Sequence, residues 1–278
     1  MIETVAETAS TNSALLARLG QGEAIGEGTW LIADRQSAGR GRAGRAWSDG
    51  HGNFMGSTVA QLRAGDQPAP TLSLVAGVAL HRAICAVAHF FPPPLQGRGR
   101  GWGLSATFHV ARTSASGERP HPNPTPEGEA LDGLQLKWPN DVLVDGAKLA
   151  GILLERHDSA VVVGMGVNLA QAPELPDRPT VSLAGLGCNI TRDDFANMLA
   201  EQWHAALAQW HDHGWSALRE EWMARAHPRG TLLQVQDSDA GMIIGAFAGL
   251  DRDGAALLRL ADGEQRAIHA GDMELVRD

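Results

Sequence analysis

Lysine is almost missing from this chain. Against 21 arginines there are two lysines, Lys137 and Lys148, both within LKWPNDVLVDGAKLAGILLE, residues 136–155. Tyrosine is absent, which excludes chemistry on a phenol. The only cysteines, Cys85 and Cys188, cannot build a disulfide framework or a Cys-type metal site, and they fit a reduced, cytoplasmic setting. Positive charge is in deficit overall: the net charge is −9 and the pI about 5.6, a poor balance for a general nucleic-acid binder. The opening MIETVAETAS lacks a basic region followed by an apolar run, so it is no signal peptide. Apolar runs such as LSLVAGVAL are too short to span a bilayer, and no membrane partner is expected.

Two isolated ammonium groups in an arginine-rich chain suggest positions where guanidinium will not serve. An ammonium is a compact charge with three rotatable donors, suited to a phosphate or carboxylate oxygen in a tight space. Chance survival in an Arg-biased composition is the competing reading, and the neighbouring residues weigh against it.

With 278 residues, 44% of them hydrophobic, the chain can bury one large core and carry a small second unit. Ser10, Thr11 and Asn12 before SALLARL predict a capped short helix. TWLIAD (29–34) and NFMGSTVAQL (53–62) read as strands, and residues 70–90 as a helix. GLQLKW, DVLVDG, KLAGILLER and SAVVVGMGVNL read as consecutive strands, with Asp145–Gly146 as a hairpin turn. Two helices follow, TRDDFANMLAEQWHAALAQWH and WSALREEWMARA. The tail has short strands separated by DSDAG, DRDG, ADG and GD, a pattern that predicts a small β-barrel. The expected division is residues 1–228 and 229–278. Residues 92–131, rich in Pro, Gly and Ser, are read as an insertion, mostly loop, with one strand at LSATFHVAR.

Two segments carry chemistry. GRGRAGRAW (39–47) sets Arg40, Arg42 and Arg45 among Gly39, Gly41 and Gly44 and ends in Trp47. Glycines let main-chain N–H groups approach an anion, arginines supply forked donors, and Trp47 offers a flat face to a heterocycle. KWPND (137–141) joins Lys137, an aromatic, a stiff turn, Asn140 and the Asp141 carboxylate, the last two suited to a metal–phosphate group or to holding a neighbouring Lys; a plain strand-connecting turn is the competing reading. Lys148 opens the next strand, and Gly151 lets a ligand lie against the backbone. VVVGMGVNLA is a weak dinucleotide-type signal, since no helix is expected after it; Asn168 at its end is the better site residue. GRGRGWG (97–103) is read as a decoy, and the His211/His213 pair as a surface turn.

GRGRAGRAW, KWPND, KLAGILLE and VGMGVNL, in this order, resemble the biotin–protein ligases. TASTN before the first helix and the tail GLDRDGAALLRLADGEQRAIHAGDMELV are similar too, so the likeness spans nearly the whole chain outside residues 92–131. The resemblance implies an α+β fold: a mixed sheet with helices of the class II synthetase–biotin ligase type plus a C-terminal SH3-like barrel. It implies a two-step reaction. Biotin and Mg-ATP give biotinyl-5′-AMP and pyrophosphate, and the acyl group then passes to a lysine of a biotin carboxyl carrier protein. Carried over by position, Ser10, Thr11, Gln36, Arg40 and Gly151 would bind biotin. Lys148, Arg42 and Arg45 would hold carboxylate and phosphates as the catalytic set. Gly39, Gly41, Trp47, Lys137, Asn140 and Asn168 would bind ATP, with Asp141 toward its Mg²⁺. Some relatives carry an N-terminal DNA-binding unit; with TASTN beginning at residue 8, neither that unit nor DNA binding is expected. A monomer or weak homodimer is expected. The alternatives are a lipoate or octanoate ligase of the same fold and a non-catalytic nucleic-acid-binding module. The Gly/Arg loop is expected to be mobile when empty and ordered with ligand.

Overall fold

A computed structural model describes residues 1–48, 50–90, 131, 133–237 and 241–276. Apart from Leu131, the insertion at 92–131, with its strand and its GRGRGWG decoy, lies outside these residues. Seven strands form a mixed sheet: β1 (Ile2–Thr8), β2 (Trp30–Gln36), β3 (Phe54–Gln61), β4 (Leu134–Lys137), β5 (Asp141–Val144), β6 (Ala147–His157) and β7 (Ala160–Val167). Their spatial order is β1-β2-β3-β7-β6-β5-β4. β1 runs parallel to β2, and the other neighbours are antiparallel. No strand is expected from the sequence before residue 29. β1 is an edge strand with mostly exposed side chains, so it lacks the alternation that marks a half-buried strand. The Asp145–Gly146 turn is as expected: both residues have positive φ, 49° and 78°, as a two-residue hairpin requires.

The two faces of the sheet are covered differently. Helix α1 (Thr11–Gly20) packs Leu15 over Leu31, Val59 and Val162 on one face. On the other lie α2 (Thr71–Phe90), α3 (Arg192–His213) and α4 (Ser216–Ala224), burying Trp30, Ile32, Val161 and Val163. The whole of α2 is long and apolar enough to cross a membrane, unlike the shorter run read from the sequence. However, 78% of its most apolar stretch is buried inside the protein, which makes it a core helix. Among the described residues no other helix reaches that length and apolarity. The side chain of His211, expected in a surface turn, is 3% exposed. Its Nδ1 and Nε2 lie 2.9 and 3.0 Å from the carboxylates of Asp66 and Glu27.

The C-terminal strands are β8 (Leu232–Asp237), β9 (Gly241–Leu250), β10 (Ala256–Arg259), β11 (Gln265–Ile268) and β12 (Met273–Leu275). They form an antiparallel sheet ordered β11-β10-β9-β8-β12. Its ends, β11 and β12, are not paired with each other among the described residues, so the sheet is open rather than a closed barrel. This unit is not independent of the rest. One buried cluster runs from α2 and α4 into Leu233, Val235 and Phe247. The Nε1 groups of Trp138 and Trp215 donate to the carbonyls of Gly254 and Arg252 at 3.0 and 2.6 Å.

Candidate active site

The register of β7 explains where the main pocket lies. Side chains two apart share a face of a strand. Ala160 and Val162 pack beneath α1, and Gly164 and Gly166 continue that same face. Gly166 pairs with Gly151 of β6, so the sheet is bare of side chains there. The result is a cavity of about 580 Å³ with a glycine floor. Neither Gly164 nor Gly166 belongs to a phosphate turn. Strand spacing, rather than turn spacing, was the usable signal in VVVGMGV.

One end of the cavity is a chain of polar groups. The Gln36 Oε1 accepts from the Thr11 backbone N–H at 2.7 Å. Thr11 and Ser57 hydroxyls lie 2.6 Å apart, and Ser57 Oγ donates to Asn12 Oδ1 at 2.6 Å. Asn12 Nδ2 in turn donates to Glu155 Oε2 at 2.9 Å, and Arg40 Nη2 reaches the same carboxylate at 2.6 Å. Ser10 occupies the N-cap position of α1, yet neither its side chain nor those of Thr11 and Asn12 cap the helix. All three side chains are buried, and Thr11 and Asn12 bond across to the sheet. The capping pattern in the sequence thus marks the pocket. Ser57 and Glu155 are additions that the sequence did not single out.

A Cβ on Gly164 would fall 2.3 Å from Asn12 Oδ1. Gly164→Ala is therefore expected to cost about 1–3 kcal/mol by overpacking. Urea unfolding should show a smaller penalty when Asn12→Ala is already present, because the two changes share one contact. Equal penalties in both backgrounds would refute the contact.

The other end is cationic. The bulge between Val142 and Leu143 in the β5–β6 pairing shifts the register. It brings Lys148 to the same side as Gly151, three residues on, which an unbroken strand would not do. A Cβ on Gly151 would lie 3.3 Å from Lys148 Nζ. The Lys148 backbone is held by Pro179 O at 2.9 Å, by Val181 N–H at 3.0 Å and by Asn168 Nδ2 at 3.4 Å. Its ammonium donates to Asp141 Oδ1 at 2.6 Å, while Lys137 Nζ lies 3.8 Å from Asp141 Oδ2. Burial first, then Arg178 and Lys148, pull the Lys137 ammonium below its usual range, and Asp141 opposes them. Asn140 is engaged by Arg42 at 3.3 Å and by Ile152 O at 2.8 Å. Trp138 of KWPND is in the core, and its peptide bond to Pro139 is cis.

The Gly/Arg loop is a small closed hairpin. Arg40 bridges to Ala46, Trp47 N–H donates to Gly39 O at 2.9 Å, and Arg42–Gly44 is a 3-10 turn. The Gly41 N–H, expected to meet an anion, donates to Arg45 O at 2.7 Å instead. Trp47 lies over the glycine floor: a Cβ on Gly166 would fall 2.3 Å from its ring, and one on Gly151 2.9 Å. Its Nε1 is buried with no hydrogen-bond partner among the described residues.

Of the residues singled out from sequence, Ser10, Thr11, Gln36, Arg40, Gly41, Arg42, Arg45, Trp47, Asn140, Lys148, Gly151 and Asn168 all line this one cavity. Gly39, Lys137 and Asp141 stand behind the lining. Arg178, from the segment beside Lys148, is a lining cation the sequence did not reveal. No cluster of three or more His, Cys, Asp or Glu side chains suited to a metal occurs among the described residues.

The fold and pocket define a domain whose cavity is polar at one end and cationic at the other. The chain belongs to the biotin/lipoate A/B protein ligase family, whose model matches residues 6–170, and the biotin protein ligase C terminal domain matches residues 235–276. A biotin--[acetyl-CoA-carboxylase] ligase of Paracoccus denitrificans is 34% identical, over 94% of this chain and 95% of that one. One of Mycobacterium tuberculosis is 32% identical, over 99% and 89%. The structure of an Aquifex aeolicus biotin protein ligase in complex with biotin and ATP shares the fold, with a TM-score of 0.73 and 21% identity, over 100% of this chain and 99% of that one.

Proposed function

We propose that this chain activates biotin with ATP to biotinyl-5′-AMP and transfers the acyl group to a lysine of a biotin carboxyl carrier protein. The observation that carries the reading is a single glycine-floored cavity with amide and hydroxyl groups at one end and Arg42, Arg45 and Lys148 at the other. A cyclic urea needs the first kind of partner, and a carboxylate meeting a phosphate needs the second.

In the first step a biotin carboxylate oxygen attacks the α-phosphorus, a new P–O bond forms, the α–β bridging P–O bond breaks, and pyrophosphate leaves. Two anions must approach, so fixed cations are the main requirement and little covalent work falls to the protein. Lys148, with Arg42 and Arg45, screens the carboxylate and α-phosphate. Ser10, Thr11, Gln36 and Arg40 hold the biotin head, with Gly151 beneath. Trp47 covers the adenine, and Gly39, Gly41, Lys137, Asn140 and Asn168 shape the nucleotide end. In the second step the carrier lysine, as a free amine, attacks the acyl carbon and AMP departs.

Mg²⁺ would enter with ATP, where it neutralises phosphate charge. Asp141 does not fit a metal ligand: its two oxygens face Lys148 and Lys137. These contacts support the reading in which Asp141 holds the neighbouring lysines.

Pyrophosphate exchange into ATP is expected only with biotin and Mg²⁺ both present. Exchange driven by lipoate or octanoate, and not by biotin, would move the chain to the sister activity of the family. No exchange with any of these acids would refute adenylation.

A further inference from the structure

The polar end of the cavity has a fixed hydrogen-bond direction, and a residue behind the lining sets it. The two ends of the Asn12 amide are told apart by their neighbours. One end faces Leu153 O at 3.3 Å and Glu155 Oε2 at 2.9 Å. Both are acceptors: a carbonyl, and a carboxylate whose two oxygens also accept from Arg40 Nη2 at 2.7 and 2.6 Å. That end is therefore the NH2 group, and Oδ1 faces Ser57. A hydroxyl has one hydrogen. Ser57 directs it to Asn12 Oδ1, 2.6 Å away, and has none left for Thr11. The Thr11 hydroxyl, also 2.6 Å from Ser57 Oγ, is thus the donor of that pair. Its other neighbour, at 3.2 Å, is the Gln36 Oε1 that accepts the Thr11 backbone N–H at 2.7 Å. With either partner the Thr11 hydrogen stays inside the protein, and Thr11 turns oxygen lone pairs to the cavity.

We propose that Glu155 is a positioning residue that sets substrate specificity. Through Asn12 and Ser57 it fixes the Thr11 hydroxyl as an acceptor, so this end of the cavity takes ring N–H donors. Thr11, Asn12 and Ser57 line the cavity, and Glu155 stands behind them. The inference rests on the adenylation reading and supplies a reason for its choice of acid. A cyclic urea carries two N–H groups, whereas a lipoyl or octanoyl acid carries none. An acceptor facing a ligand without N–H is left unpaired, and a site built on hydrogen bonds rejects such a ligand. All three relay residues are buried, so the missing donor is not replaced by bulk water.

Equilibrium binding of biotin to the full chain provides the test. Glu155→Met removes the acceptor behind Asn12 and is expected to weaken binding about tenfold, the worth of about one hydrogen bond. The Glu155 side chain is 24% exposed, so the variant should fold, and Glu155→Ala gives the same reading if it does not. Glu155→Gln keeps an oxygen for Asn12 Nδ2 but loses the ion pair with Arg40, and should stay within about twofold of wild type. A relay also requires coupling. Glu155 reaches Ser57 through Asn12, so in a Ser57→Ala background Glu155→Met should weaken binding by less than about twofold further. Glu155→Gln as weak as Glu155→Met would assign the effect to Arg40 and overturn the proposal. Equal losses in both backgrounds, or no loss in Glu155→Met, would overturn it as well while leaving the adenylation reading intact. Wild-type protein that binds no biotin would sink that reading itself, and the proposal with it.

Discussion

Lys148→Arg is expected to lower single-turnover formation of biotinyl-5′-AMP by about 100-fold, although the charge is kept. The composition motivates this: arginine fills nearly every cationic position, and this is one of two exceptions. The geometry supplies the reason. The ammonium sits 2.6 Å from Asp141 Oδ1, 5.8 Å from the centroid of the Trp47 ring, and close above Gly151. Three contacts pin the backbone of the residue itself, so the main chain cannot retreat to admit a wider group. A planar fork has to displace Trp47 or leave Asp141. Either outcome misplaces the charge relative to a carboxylate and an α-phosphate, and small misplacements in such sites cost on the order of 100-fold. Side-chain exposure at this position is 16%, on the cavity side, so circular dichroism should show a folded variant. A folded Lys148→Arg protein that keeps more than about a tenth of the wild-type rate would disprove the proposed role.

Most of the architecture could be read in advance because periodicity reports burial. The strands from Leu134 to Val167 and the short strands after Thr231 alternate or run apolar, and turns with Gly or Asp separate them. Failures came where physics decouples pattern from burial. β1 carries exposed side chains and is held by backbone pairing, so no alternation announces it. The short strands of the tail form the expected SH3-like antiparallel unit, whereas the pairing of its end strands is not encoded locally. Site residues within compact motifs were legible: the Gly/Arg loop and KWPND meet at one cavity. Partners distant in sequence were not. Asp272 and Glu155 are ordinary surface-type charges until the fold sets each beside an arginine of the Gly/Arg loop, and Arg178 until it lines the cavity. Asp141 illustrates the middle case. Its importance was visible with two tasks open, a metal–phosphate group or a neighbouring lysine, and the neighbours within reach are two lysines.

Asp141→Asn is expected to reduce adenylation by about 100-fold or more, since the Lys148 charge loses the group that aims it. It is also expected to lower stability by about 1–3 kcal/mol at neutral pH, because a buried charge-assisted hydrogen bond is weakened. The Asp141 side chain is 8% exposed, and Lys148 and Lys137 are 16% and 17% exposed, so solvent cannot replace the lost carboxylate fully. The pH dependence gives the sharper test. Burial already holds the Lys137 ammonium below the usual lysine range, and Asp141 is the first of the groups that oppose this. Without that carboxylate the folded-state pKa must fall further, and the alkaline limb of the adenylation rate should move to lower pH. The stability sign follows from proton counting. Between the depressed folded value and the unfolded value of 10.5, the unfolded chain binds more protons, so stability rises with pH. In the variant that window opens at lower pH. The part of the stability loss due to Lys137 is therefore complete below both folded-state pKa values and shrinks as pH rises through them. Urea midpoints of wild type and Asp141→Asn should converge as pH rises toward the unfolded lysine value of 10.5. A gap that stays constant over that range would show that Asp141 acts through packing, not through the charge it presents to the two lysines.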